Sequence, residues 1–292
     1  MALACIPVDL LNPGQVFACH GFLEATDTLL GGARGHFDWE QESDVRFVLD
    51  ANTNCNPFET VLEFLSSATV YSVAPAGSRH ATEKWGVPTL LMHEDAPFLV
   101  PDPRSPATLP ALLKDDSGRQ IMLGHWGDMT LRDNVKFWAG AGGYPGAALT
   151  RDALDLVRQL PPTAFDDPFS FSAPQSSSFR FDWRRDYVPI NIGFSPNEHN
   201  AMTMLGYPLV ELLAAIGLEN ARPLRLRSKL EYRYGVIGSP GDTGLLSPAF
   251  LRAALGCAPL PFPRRSFRMR LDWPGQENQA RCITDVFEEP LL

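Results

Sequence analysis

The chain is 292 residues long, 45% apolar and 20% charged, enough to bury a sizeable core and far from the composition of a disordered chain. No run approaches the roughly 18 apolar residues that span a bilayer, and the opening segment, with Asp9, Asn12 and Pro13, lacks a signal peptide's basic head and apolar core; a cytoplasmic protein with no membrane partner is expected. The net charge of -9 argues on average against a polyanionic partner, because such binding rests on cations that release condensed counterions.

In chain order, Asn12-Pro13 announces the first helix, since Asn caps well and proline's missing N–H costs nothing in the first turn. Val16, Cys19, Leu23 and Leu30 then fall on one face, and Gly31-Gly32 ends the helix. Val45, Phe47 and Leu49 alternate with Arg46 and Val48 as a strand. Asn56-Pro57 opens a second helix that buries Phe58, Val61, Leu62 and Leu65, and weaker strands follow at Thr69 to Val73 and Ile121 to Leu123. Between them, Pro97 to Gly118 is loop-rich. Thr150 is expected to cap a third helix running to Leu160, with Leu154 and Val157 inward. The Pro, Ser and Asp content of residues 161–178 marks a linker. Further on, Pro208 opens a helix ending at Gly217, and Ser247-Pro248 opens another.

Three runs in the last part of the chain have a clear period of two. Phe179, Phe181 and Trp183 alternate with Arg180, Asp182 and Arg184. Leu224, Leu226, Leu230, Tyr232 and Tyr234 alternate with Arg225, Arg227, Lys229, Glu231 and Arg233. Phe267, Met269, Leu271 and Trp273 alternate with Arg268, Arg270 and Asp272. Each run has an apolar and a charged face. If they share a sheet, the apolar sides pack on helices 208–217 and 247–256, and up to eight cations face solvent or a partner. The fold class is α+β: a mixed, mostly antiparallel sheet packed with helices, compatible with a ferredoxin-like or RRM-type core in the C-terminal half, which chain order does not establish.

Charge is segregated along the chain. Residues 1–160 hold 11 Lys/Arg and 20 Asp/Glu, residues 161–292 hold 14 of each, and within 222–270 ten Lys/Arg meet only Glu231 and Asp242. An acidic part at 1–165 and a basic-faced part at 178–292 are expected, with a soft boundary that leaves a single domain open. Solvated faces mix charge signs, whereas Arg225, Arg227 and Lys229 are all positive, so an anionic partner is favoured over a plain outer face. The aromatic side of the same strands reads as core.

Catalytic signatures are missing: the sequence has no phosphate loop, no nucleophile elbow and no H-E-x-x-H helix. The five cysteines form no C-x-x-C pair, which points to reduced, buried thiols. His93, Asp95, His125 and Asp128 offer ligands for a metal-dependent nuclease, with solvated loop polars as the favoured reading. Gly140-Ala141-Gly142-Gly143 reads as a tight turn more readily than as a phosphate cradle. No enzyme, cofactor, resident metal or small-molecule substrate is expected.

Several segments together resemble a known family. Val8-Asp9-Leu10-Leu11-Asn12-Pro13-Gly14-Gln15 leading to Gly21-Phe22-Leu23-Glu24 is similar to the opening of the third Csb protein family of type I-U (I-G) CRISPR-Cas systems. Lys136-Phe137-Trp138-Ala139-Gly140 resembles that family's Lys-Thr-Trp-Ala-Gly segment, with Phe137 in place of Thr and Gly142-Gly143 in place of polar residues. Phe181-Asp182-Trp183-Arg184-Arg185-Asp186, then Gly193-Phe194-Ser195, then Pro208-Leu209-Val210-Glu211-Leu212-Leu213 with Gly217-Leu218 and Arg222-Pro223, follow in the family's order. The resemblance implies a non-catalytic, large-subunit-like component of a Cascade-type surveillance complex in antiviral defence. Its implied partners are other Cascade subunits, crRNA and target DNA, with recognition of the protospacer-adjacent motif as an extension. Combined with the charge pattern, the nucleic-acid-contacting candidates are Arg180, Arg184, Arg185, Arg225, Arg227, Lys229, Arg233, Arg268, Arg270 and Lys136.

Overall fold

The computed structural model describes residues 3–93, 105–127, 144–161, 165–185, 203–239, 244–273 and 281–290. Lys136 and its Trp-Ala-Gly segment, Gly140 to Gly143, Asp95, Asp128, Asp186 and residues 193–197 lie outside them. Among the described residues no helix is long and apolar enough to cross a membrane.

The architecture is α+β, with mostly antiparallel sheets around a central helix. β1 (Ala4–Pro7) leads into α1 (Pro13–Leu30), which is capped by the Asn12 side chain accepting from Gly14 N and closed at Gly31. The expected start and end hold, but the expected single apolar face does not. Every residue from Pro13 to Thr26 is buried, because the segment carries no charge before Glu24 and other elements surround it. β2 (Arg34–Asp38) and β3 (Arg46–Asp50) join β1 in a three-stranded antiparallel sheet of order β1-β3-β2.

α2 (Pro57–Ser67) starts at the expected Asn56 cap and buries Phe58, Val61, Leu62 and Leu65. It precedes β4 (Thr69–Ala74), β5 (Thr89–Leu91), β6 (Ala111–Lys114) and β7 (Gln120–Leu123), a sheet of order β5-β4-β6-β7 in which only β4 and β5 run parallel. β6 lies inside the stretch expected to be loop. α3 (Gly146–Val157) starts earlier than expected: Thr150 lies within it, and its hydroxyl donates back to Gly146 O at 2.9 Å instead of capping an end.

Residues 165–178 are no free linker. Phe169 is buried against Phe22, with ring centroids 6.0 Å apart, and β8 (Ala173–Pro174) pairs with β9 (Leu205–Gly206). α4 (Pro208–Gly217) then crosses α1 at close range, where the two backbones meet at Gly21 and Gly217. The last sheet comprises β10 (Leu224–Arg225), β11 (Glu231–Ile237), β12 (Arg264–Asp272) and β13 (Cys282–Glu289), with α5 (Pro248–Leu255) between β11 and β12.

The order of that sheet is β10-β11-β12-β13, all antiparallel. Its spatial order equals its chain order, so it is a meander. A ferredoxin-like core needs crossovers that interleave its strands, and this sheet has none. Tyr234 bridges the sheet to α1, its ring 5.9 Å from Phe17 and its hydroxyl donating to Leu10 O at 2.8 Å. Together with the α1–α4 crossing, this joins the acidic front and the C-terminal part in one continuous apolar core.

Candidate nucleic-acid interface

The run from Leu224 to Tyr234 is a hairpin, not one strand. β10 folds back on β11 through residues 226–230, where Leu226 N donates to Glu231 O at 2.9 Å. Reversal inverts the side-chain parity: Leu224 lies opposite Arg233, and Arg225 lies opposite Tyr232. Arg225 therefore joins the tyrosine side while Leu224 joins the arginines. Period-2 reasoning fails here because it assigns faces only while the backbone stays extended.

On the outer face, Arg233, Arg268 and Arg270 stand with Glu231, Asp285 and Glu289 by register, three cations against three carboxylates. Arg233 donates to Glu289 and Arg268 to Glu231, with Arg270 at 3.6 Å from Glu231. At the end of the sheet, Arg265 makes a bidentate pair with Glu288 at 2.6 and 2.7 Å. The expected cationic face is thus neutralised by Glu231 on β11 together with the carboxylates of β13. That strand escaped the sequence reading because its acidic residues interrupt the apolar alternation, although Ile283, Thr284 and Val286 carry the β-branched signal.

The run at Phe179 to Trp183 is no strand either. Phe179 and Phe181 share a side, with rings stacked 5.7 Å apart in the core. The backbone N–H groups of Phe181 and Asp182, however, donate at 3.1 Å to the Glu211 carboxylate on α4 instead of to a neighbouring strand. Arg180 adopts a left-handed conformation with φ 67°. Arg184 donates to Asp182 at 2.6 Å and to Phe169 O at 2.9 Å, and lies 3.6 Å over the Tyr207 ring. Arg185 is buried and donates to Gln175 O at 2.8 Å. Arg184 and Arg185 are therefore occupied with internal partners. Arg227 and Lys229 stand exposed at the hairpin turn and form no ion pair with a described residue, and Arg225 beside them is half-buried.

Three segments far apart in the chain, at Asn12, Asp182 and Glu211, meet in one buried network. Asn12 Nδ2 donates to Asp182 Oδ1 at 3.0 Å, so the cap of α1 holds the residue whose backbone is gripped by Glu211. Gly14 lets them close, since a Cβ there would sit 2.6 Å from Phe181 O. Burial pushes the Glu211 carboxyl up to about 7; the Asp182 and Phe181 N–H donors and Arg185 oppose the rise, and the Asp182 charge adds to it. A folded-state value above the ordinary carboxyl range means the fold binds this proton more tightly than the unfolded chain does. The resulting stability is complete below the unfolded value and is lost as pH rises through about 7. Thermal melts are expected to fall from pH 6 to 8 in the wild type, and the fall is expected to flatten in Glu211→Gln.

Elsewhere, His125 is buried with Nδ1 3.8 Å from Glu219, which also accepts from Gly124 N and His125 N at 2.7 and 2.9 Å. Among the described residues no group of three His, Cys, Asp or Glu side chains is placed to hold a metal ion. Two members of the candidate metal set, Asp95 and Asp128, lie outside those residues. The chain matches no protein-family model, no curated protein and no solved structure.

Proposed function

We propose that this chain is a non-catalytic, cytoplasmic subunit of a type I CRISPR RNA-guided surveillance complex that contacts crRNA or target DNA. The observation that carries the reading is the ordered set of segments resembling the third Csb protein family. Segments 12–15, 181–185 and 208–211 are distant in sequence yet share the Asn12–Asp182–Glu211 network, so the resemblance follows the tie points of the fold. In such a complex, pairing with the guide reads sequence while protein subunits hold backbones.

The exposed cations at the β10–β11 turn are the first contact in this reading, because a phosphate meets them without displacing a carboxylate from a described residue. Charge reversal of Arg227 and Lys229 together is expected to weaken target binding by the assembled complex and to reduce its salt dependence by about one to two cation equivalents. The reading is tested by expressing the tagged chain with a backbone-type CRISPR subunit and a guide, and measuring recovery of crRNA. Absence of both the subunit and the RNA from the purified material overturns it. A purely structural role remains the second reading: the same reversal would then dissolve the complex while leaving the affinity of any surviving complex unchanged.

A further inference from the structure

The outer face of the C-terminal sheet carries an arrangement that its ion pairs alone do not require. Register places Leu224, Arg233, Arg268 and Phe287 in one row across all four strands. Its two ends are apolar and open to solvent, with Phe287 47% and Leu224 43% exposed. Its centre is two arginines on adjacent strands, a like-charge pairing that costs stability unless neutralised. Glu289 and Glu231 neutralise it, each holding one guanidinium from a neighbouring row. The row on one side is small where it meets the arginines, with Gly235 opposite Ser266. The Arg268 guanidinium lies 5.8 Å from the centre of the Phe287 ring.

We propose that this face is a stacking platform for single-stranded nucleic acid, with a base on Phe287 and phosphates taking the places of Glu289 and Glu231 on the two arginines. The inference rests on the nucleic-acid-contacting reading and names the site and form of the ligand. An aromatic ring standing on an open sheet offers a π-face that a free base covers, whereas duplex bases are already stacked on one another. The guanidiniums are planar, fixed by their carboxylates and matched to oxyanions, so exchanging a carboxylate for a phosphate keeps their geometry. Glu289 and Glu231 thus act as internal competitors, which restrains adhesion to nucleic acid that lacks an accessible base.

The test is fluorescence anisotropy of a labelled oligothymidylate of about 16 nucleotides with the full-length chain at low salt, beside the same sequence as a duplex. The wild type is expected to prefer the single strand. Phe287→Ala is expected to weaken binding roughly 5- to 100-fold, and Phe287→Trp to retain or exceed wild-type affinity. Glu289→Gln is expected to tighten binding several-fold and steepen its salt dependence, because it frees Arg233; a carboxylate with only a structural role would give no gain. Melting curves for each variant separate loss of fold from loss of contact. Equal affinity for duplex, wild-type binding by Phe287→Ala, or unchanged or weaker binding by Glu289→Gln overturns the platform, as does a Phe287→Ala effect confined to assembly with a protein subunit. If instead the platform binds single strands while the chain never co-purifies with a CRISPR subunit, the surveillance-complex reading fails and the platform stands.

Discussion

Gly21→Val is expected to leave little or no folded protein. Gly21 lies where α1 crosses α4, and a Cβ there would come within 2.0 Å of Leu213 O and 2.6 Å of Leu213 C. Both obstacles are backbone atoms of a fully buried helix, so no side-chain rotation can relieve them and the helices would have to separate. The approach is equally close from the α4 side, where a Cβ on Gly217 would lie 2.1 Å from Phe17 O, so separating the helices gives up packing along the whole crossing. Overpacking in a rigid core costs about 1–3 kcal/mol when side chains can adjust, and more when they cannot. A loss of several kcal/mol is comparable to the whole stability of an ordinary domain, roughly 5–15 kcal/mol. Gly21→Ala is expected to lower the midpoint of urea unfolding sharply, and Gly21→Val to shift the chain into the insoluble fraction. A valine variant that melts like the wild type would show that this crossing is not the tight one.

Arg252→Ala is the second large effect, expected at roughly 2–3 kcal/mol, below the figure of about 3–5 kcal/mol for a fully buried pair because the Arg252 side chain is 34% exposed. The Glu24 side chain is only 5% exposed, on the buried stretch of α1, and a carboxylate there is tolerated because its charge is met. Arg252 of α5 donates to both oxygens at 2.6 Å, and Asn220 Nδ2 adds a third donor at 2.7 Å. Removing the guanidinium leaves one neutral donor and an uncompensated charge among apolar residues, the costly way to break an ion pair. Glu24→Gln in the same chain is expected to recover most of the loss, since the amide oxygen still accepts from Asn220 and no charge remains buried. Urea unfolding of the two single variants and the double variant forms a cycle in which a strong coupling appears as non-additivity. Additive losses would mean that the pair contributes little beyond the space it fills.

How much of the fold could be read from sequence depends on how local the deciding chemistry is. The start of α1 at Asn12-Pro13, the start of α2 at Asn56-Pro57 and the extent of α4 from Pro208 to Gly217 were legible. Caps and prolines act on the turn they belong to, and that chemistry is local. The strand alternation from Phe267 was legible for the same reason, although the strand begins three residues earlier, at Arg264, and ends at Asp272, before the expected Trp273. Phe179 to Trp183 carried an equally good alternation and formed no strand, because its N–H donors found the Glu211 carboxylate instead of a partner strand. Nothing within the segment itself could reveal a competitor about thirty residues away in the chain.

Composition and local pattern determined that this chain folds as α+β, where most of its helices begin, and that positive charge collects after Arg222. Only the tertiary structure decided what that charge meets. β13 brings Asp285, Glu288 and Glu289 beside the arginines of β11 and β12, and the turn at 226–230 moves Arg225 to the other face. The reason is physical: propensity and capping act over a few residues, whereas an ion pair depends on which strands become neighbours, and that choice is made by burial of the whole core.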